Sequence, residues 1–114
     1  MIAKENRFIG NKSIERLYKT SRPVRSGPFN IRAKKSNIDN YRLAVVVSKK
    51  VSKSAVVRNR IRRRIFECFR KVYSQSPSVA GREIIITVFD ESVASAEAEN
   101  IERQMKKLLQ KAGI

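Results

Sequence analysis

Phe29, Ile31 and Ala33 alternate with Asn30, Arg32 and Lys34, the period-two pattern of a strand with one buried face. Two further runs, Tyr41 to Ser48 (YRLAVVVS) and Arg82 to Phe89 (REIIITVF), are β-branched and apolar at consecutive positions. That pattern predicts strands covered on both faces, the first of them interior to its sheet. Between these runs the period becomes helical. From Val57 to Tyr73, the side chains of Ile61, Ile65, Cys68, Phe69 and Val72 fall within an arc of roughly 100°. Arg60, Arg63, Arg64, Glu67, Arg70 and Lys71 occupy the opposite arc, while Arg58 falls over the apolar side.

A narrower stripe, Ile14, Leu17 and Tyr18, predicts an opening helix capped by Asn11 or Ser13. Ala98, Ile101, Met105, Leu108 and Ala112 predict a closing helix capped by Ser95, with Glu97 and Glu99 suited to the positive end of its dipole. Ser21 to Pro28, Ser36 to Asn40 and Ser74 to Gly81 read as loops or turns. The order α-β-β-α-β-α predicts an α+β fold, a sandwich of sheet against helices. It forms a single domain over residues 1–114, with residues 1–6 expected to be flexible. The strands on either side of the basic helix can lie parallel in one sheet.

Charge sharpens this picture. The chain carries 26 Lys and Arg against 10 Asp and Glu, a net +16. Self-repulsion of that size opposes compaction and points to a polyanionic partner. The excess is uneven: residues 1–75 hold 21 basic and 4 acidic side chains, residues 76–114 hold 5 and 6. The polyanion therefore meets the first two-thirds, and the last third reads as scaffold. A single cysteine, Cys68, excludes an internal disulfide, and its place among apolar helix positions makes it a small core side chain. There is no histidine to act as a general base. No apolar run approaches membrane-spanning length, so a cytoplasmic protein with no membrane partner is expected.

The chemistry concentrates between Lys49 and Lys71, where ten basic residues accompany one acid. Lys49, Lys50 and Lys53 precede the helix; Arg58 and Arg60 lie in its first turns, followed by Arg62, Arg63 and Arg64. Arginine's planar fork of donors grips two phosphate oxygens or stacks on a base. Asn59 adds a donor and an acceptor suited to a base edge or a 2′-hydroxyl. A second constellation of Tyr18, Arg32, Phe29 and Phe8 offers a stacking platform for single-stranded nucleotides, unless Phe29 and Leu17 are simply core. Glu67 reads as an intrahelical partner of Arg63, Arg64 or Lys71, and Glu97, Glu99 and Glu102 as a solvated face. A structural RNA-binding protein of the ribosome fits the same charge. A DNA-binding protein would carry mixed polar readers rather than arginines, and a self-sufficient nuclease lacks its catalytic groups.

Ser48-Lys49-Lys50, a short basic spacer and then Ala55-Val56-Val57-Arg58-Asn59-Arg60-Ile61-Arg62-Arg63 resemble the RNR signature of the bacterial ribonuclease P protein subunit. The resemblance spans most of the chain: Arg7 before a short helix, the strand at Phe29 to Arg32, the REIII strand and the final amphipathic helix follow in order. It implies a ribosomal-protein-like α+β fold with a left-handed βαβ crossover. It also implies an endoribonuclease that works as a ribonucleoprotein. The RNA subunit, with Mg²⁺ held through that RNA, would hydrolyse precursor tRNA to mature its 5′ end, and the protein alone is not expected to cleave. Ribonuclease P RNA and precursor tRNA would be the partners, and DNA would not.

Carried over by position, Lys53, Arg58, Asn59, Arg60, Arg62 and Arg63 would bind the RNA subunit. Ile14, Tyr18, Asn30, Arg32, Lys49 and Lys50 would form a cleft for the single-stranded 5′ leader. The chain departs from the pattern at several points. Ser52-Lys53-Ser54 stands where the loop commonly has glycine. Arg64 replaces a usual apolar residue, and Phe66 a basic one. Val88 and Phe89 replace basic residues common after the third strand, weakening any leader contact there. Ile14 stands where phenylalanine is frequent, which shifts stacking onto Tyr18.

Overall fold

The computed structural model describes residues 17–19, 21–35, 41–75 and 81–113. The predicted caps Asn11 and Ser13, the stripe residue Ile14, Phe8, the flexible stretch 1–6 and the turn at 36–40 lie outside them. Leu17 to Lys19 are helical. The strands β1 (Val24–Ser26), β2 (Phe29–Lys35) and β3 (Arg42–Val47) follow, then helix α1 (Ala55–Gln75), strand β4 (Arg82–Val88), a 3-10 turn (Glu91–Ala94) and helix α2 (Ala98–Lys111). The sheet order is β1-β2-β4-β3. β2 runs antiparallel to β1 and β4, while β3 and β4 are parallel and connected through α1.

β1 is a strand within what the sequence predicts as a loop. Gly27 supplies the positive φ of 60° that a primed hairpin turn needs at its first position, and Pro28 fixes the second. Ser26 thereby pairs with Phe29, and Val24 with Ile31. β3 lies at the edge of the sheet rather than inside it. Its continuous apolar run reflects layers on both faces, not neighbours on both edges. The interior strands are β2 and β4, and the Ile84, Ile85, Ile86 and Val88 side chains of β4 are all buried.

One face of the sheet holds the main core. Phe29 and Ile31 of β2, Leu43, Val45 and Val47 of β3, and Ile84, Ile86 and Val88 of β4 meet Ile61, Ile65, Phe69 and Val72 of α1. The Phe69 ring tilts against Tyr41 at 5.0 Å between centroids. From α2, Ile101, Met105, Leu108 and Leu109 complete the layer. Each fully buried aliphatic side chain here stabilises the fold by about 1.5–3 kcal/mol. Ala98, predicted as part of the α2 stripe, is exposed, and Leu109 takes up the packing instead.

Helix termini also differ from prediction. α1 starts two residues earlier than the stripe suggests because Ser54 caps it, its Oγ accepting from Val57 N–H at 3.3 Å. Ser95 does not cap α2. It closes the 3-10 turn, and Glu97 holds the N-cap position of α2 without a side-chain bond. Asp90 caps the 3-10 turn, accepting from Ser92 N–H at 2.9 Å.

Candidate RNA-binding faces

α1 divides its cations by depth. Asn59, Arg60, Arg63 and Arg70 are exposed, whereas Arg58, Arg62 and Arg64 are half-buried. The Arg58 guanidinium donates to the Ser52 carbonyl at 2.8 Å, as its position over the apolar side anticipates. Ser52 is itself buried; its Oγ donates to Glu91 at 3.5 Å and accepts from Ser54 N–H at 3.3 Å. A hydroxyl at this point ties the loop to the 3-10 turn and to the start of α1, which accounts for serine where glycine is common. Arg62 donates to Asn59 Oδ1, one turn back.

Arg64 belongs to the packing rather than to the free cationic arc. Its guanidinium donates to the carbonyls of Val93 at 3.0 Å, Ala94 at 2.9 Å and also Ala96, gathering the end of the 3-10 turn against α1. Glu67 pairs within the helix, as its spacing suggests, with Arg70 at 3.8 Å. Glu102 is not part of a solvated face: it takes Lys71 of α1 at 3.2 Å and Lys106 at 3.5 Å. The Lys71 ammonium beside it holds its carboxyl below the ordinary glutamate value. Burial pushes the Cys68 thiol up to about 11, in keeping with a side chain packed against the core. A cavity of about 710 Å³ lies between α1 and α2 beside these residues, lined by Arg63, Cys68, Arg70 and Ile101 among others.

The second face of the sheet carries the other predicted constellation. Paired residues share a face, so Arg32, Ile85 and Ala44 form one row and Asn30, Thr87 and Val46 the next. Leu17 is buried against Ile85, with Ala44 and Val46 packed beside them. Next to it, the Arg32 guanidinium lies 4.7 Å from the centroid of the Tyr18 ring and donates to the carbonyls of Tyr18 at 3.1 Å and Ser21 at 2.8 Å. Arg32 Nε–H is buried with no acceptor, the one such side-chain donor among the described residues. Tyr18 remains 38% exposed, enough ring to receive a base. Phe29 is not part of this platform; it is fully buried on the opposite face, so the platform reduces to Tyr18 and Arg32. Ile14 and Phe8 lie outside the described residues.

Lys49 and Lys50 occupy the turn that follows β3, exposed, and Lys53 is exposed in the loop before α1. Sequence reasoning missed one pair on this face. Arg25 of β1 lies opposite Asn30, and its guanidinium sits 4.6 Å from the centroid of the Phe89 ring, just past β4. The alternation that carries Ile85 and Thr87 onto this face continues to Phe89. That signal is readable from sequence, but the partner depends on β1. Among the described residues no group of three or more His, Cys, Asp or Glu converges to hold a metal ion, and no helix is long and apolar enough to cross a membrane.

Exposed donors along α1, and an aromatic ring with its guanidinium on the other face of the sheet, give an α+β protein two surfaces of the kind that suit RNA. The chain belongs to the ribonuclease P protein family, whose model matches residues 2–113. It is 33% identical to the ribonuclease P protein component of Prochlorococcus marinus over 109 residues, 95% of this chain and 80% of that one. It is 33% identical to that of Rippkaea orientalis over 119 residues, covering 99% and 91%. The structure of a Staphylococcus aureus RNase P protein mutant described as defective in mRNA degradation superposes with a TM-score of 0.81 at 29% identity, over 96% of this chain and 90% of that one.

Proposed function

We propose that the chain binds the catalytic RNA of ribonuclease P through the outer face of α1 and the 5′ leader of precursor tRNA through the Tyr18–Arg32 cleft. In this reading it works in the cytoplasm as one part of an endoribonuclease whose reaction centre is in the RNA. The observation that supports it is that one sheet separates the exposed cations of α1 from the Tyr18–Arg32 pair. Exposed Asn59, Arg60 and Arg63 serve a folded RNA, and half-exposed Tyr18 backed by Arg32 serves an unpaired strand. Arg32 donates to two protein carbonyls, which holds its guanidinium plane in position against the Tyr18 ring. Lysines 49, 50 and 53 lie between the two surfaces in sequence and supply phosphate contacts to either.

Mg²⁺ enters this reading with the RNA. The chain's contribution is to neutralise phosphate repulsion and hold the leader in register, so that the RNA binds its metal ions and substrate more tightly. Catalysis by the protein alone is not part of the proposal.

The test is affinity for precursor tRNA with and without a leader, measured on the complex of protein and ribonuclease P RNA. Tyr18→Ala should weaken binding of the leader-bearing substrate by about 1–3 kcal/mol and leave the leaderless tRNA unchanged. Equal losses on both would assign Tyr18 to the fold and refute the cleft.

A further inference from the structure

We infer that the cavity between α1 and α2 holds one unpaired base of the RNA that docks on α1, with guanine the base that its polar groups fit. The pocket rests on the reading of α1 as the face for the RNA subunit. It gives α2, which the charge distribution marks as scaffold, a share in that contact.

Protein interiors are close-packed, so about 710 Å³ left open between two packed helices calls for an explanation. Its size and lining are those of a small-ligand site, an apolar wall with a few convergent polar groups. Cys68 of α1 and Ala98 and Ile101 of α2 form the wall. Polar contacts on two sides hold the helices in place around it. Arg64 donates to the carbonyls of Val93, Ala94 and Ala96, fixing the chain just before α2 begins. Lys71 of α1 bridges to Glu102 of α2 at 3.2 Å. The opening is therefore preformed, not a gap left by loose packing.

The charged groups on the rim select the ligand. Arg63, Arg64, Arg70 and Lys71 line the cavity together with Glu67 and Glu102, four cations against two carboxylates. A bare anion would be repelled by the two acids, and an apolar side chain would desolvate all of these charges. A nucleotide matches the set. Its ring faces cover the apolar wall, its phosphate meets the excess of positive charge, and its donors meet the carboxylates. Guanine matches further: N1–H and the N2 amino group donate side by side to one carboxylate, while O6 and N7 accept the fork of an arginine. Glu67 is exposed at the rim. Each carboxylate has about four lone-pair sites, so the ion pairs of Glu102 with Lys71 and Lys106 do not exhaust it.

Arg63 joins the pocket to the rest of the face. It follows Arg60 by three residues, about 4.5 Å along the same arc of α1, and both are exposed. A strand held on Asn59 and Arg60 therefore has the mouth of the cavity within reach of its next nucleotides.

The first test is affinity of the full-length protein for ribonuclease P RNA. Ala98 is exposed at the first position of α2, so Ala98→Leu fills the mouth without entering the core. It should weaken RNA binding about ten-fold, with the salt slope unchanged because every cation remains, and with an unchanged urea midpoint. Ala98→Ser should bind as wild type does. The second test uses Cys68, the single cysteine of the chain, as a reporter of occupancy. Guanosine monophosphate at saturation should slow its alkylation about five-fold or more, and uridine monophosphate, of equal charge, should not. A loss of affinity accompanied by a lower urea midpoint would assign Ala98 to the fold and overturn the pocket. Equal protection of Cys68 by both nucleotides would overturn the choice of guanine. Protection by guanosine monophosphate with RNA affinity unchanged in Ala98→Leu would mark a site for the free nucleotide and overturn its assignment to the RNA. If Arg60→Ala lowers the salt slope while Ala98→Leu changes nothing, the pocket alone is wrong. If Arg60→Ala leaves the slope unchanged, the reading of α1 falls and this extension with it.

Discussion

Arg58 and Arg60 stand two positions apart in α1 and meet different surroundings. Arg58 is half-buried and spends its guanidinium on the Ser52 carbonyl, whereas Arg60 is exposed. Replacing Arg60 by alanine should therefore leave the urea midpoint unchanged while lowering the slope of log affinity against log salt by about one, the loss of one phosphate contact. Arg58→Ala should instead lower unfolding stability by about 1–2 kcal/mol, because a charge-assisted hydrogen bond that positions the loop is removed. The helical wheel placed Arg58 near the apolar side, so its departure from the free cations was legible. Its acceptor was not, since a loop carbonyl leaves no trace in residue type. The same limit applies to Phe29: spacing left core and platform open, and only the sheet register resolves it as fully buried.

At the scale of elements, the connection between α1 and α2 depends on polar contacts that the apolar stripes do not reveal. Arg64 gathers the carbonyls of Val93, Ala94 and Ala96, and Glu102 joins Lys71 to Lys106. Arg64→Met, which keeps the aliphatic stem and removes the donors, should destabilise the fold by about 1–3 kcal/mol in denaturant titration without altering the salt slope of RNA binding. Glu102 makes a pH-dependent contribution. Its folded pKa is depressed by Lys71, so the unfolded chain takes up its proton first as the pH falls. The stabilisation is present above the ordinary glutamate range, about 4.3, and is lost below it. Glu102→Gln should flatten the decline in stability across that window compared with wild type; identical pH profiles would mean that the bridge contributes nothing. Apolar periodicity made the main strands and both long helices legible. β1 is not legible because three residues bounded by proline and glycine carry too little alternation, and β3 reads as interior because burial by layers resembles burial by neighbours.

For the whole molecule, the unequal distribution of charge is the organising fact. All of the excess lies in residues 1–75, which include the α1 face, the lysines after β3 and both arginines of the sheet's second face. The C-terminal third, close to neutral, supplies β4 and α2, the centre of the sheet and much of the core. This division could be read from composition alone. That the basic segment feeds two surfaces, on opposite sides of one sheet, required the topology. The most direct test of this account is cleavage of precursor tRNA by ribonuclease P RNA at low Mg²⁺, with and without the protein. The protein should strongly raise cleavage under those conditions, with the mature 5′ end as product, and should produce no cleavage without the RNA. No gain over the RNA alone, or cleavage by the protein alone, would contradict it.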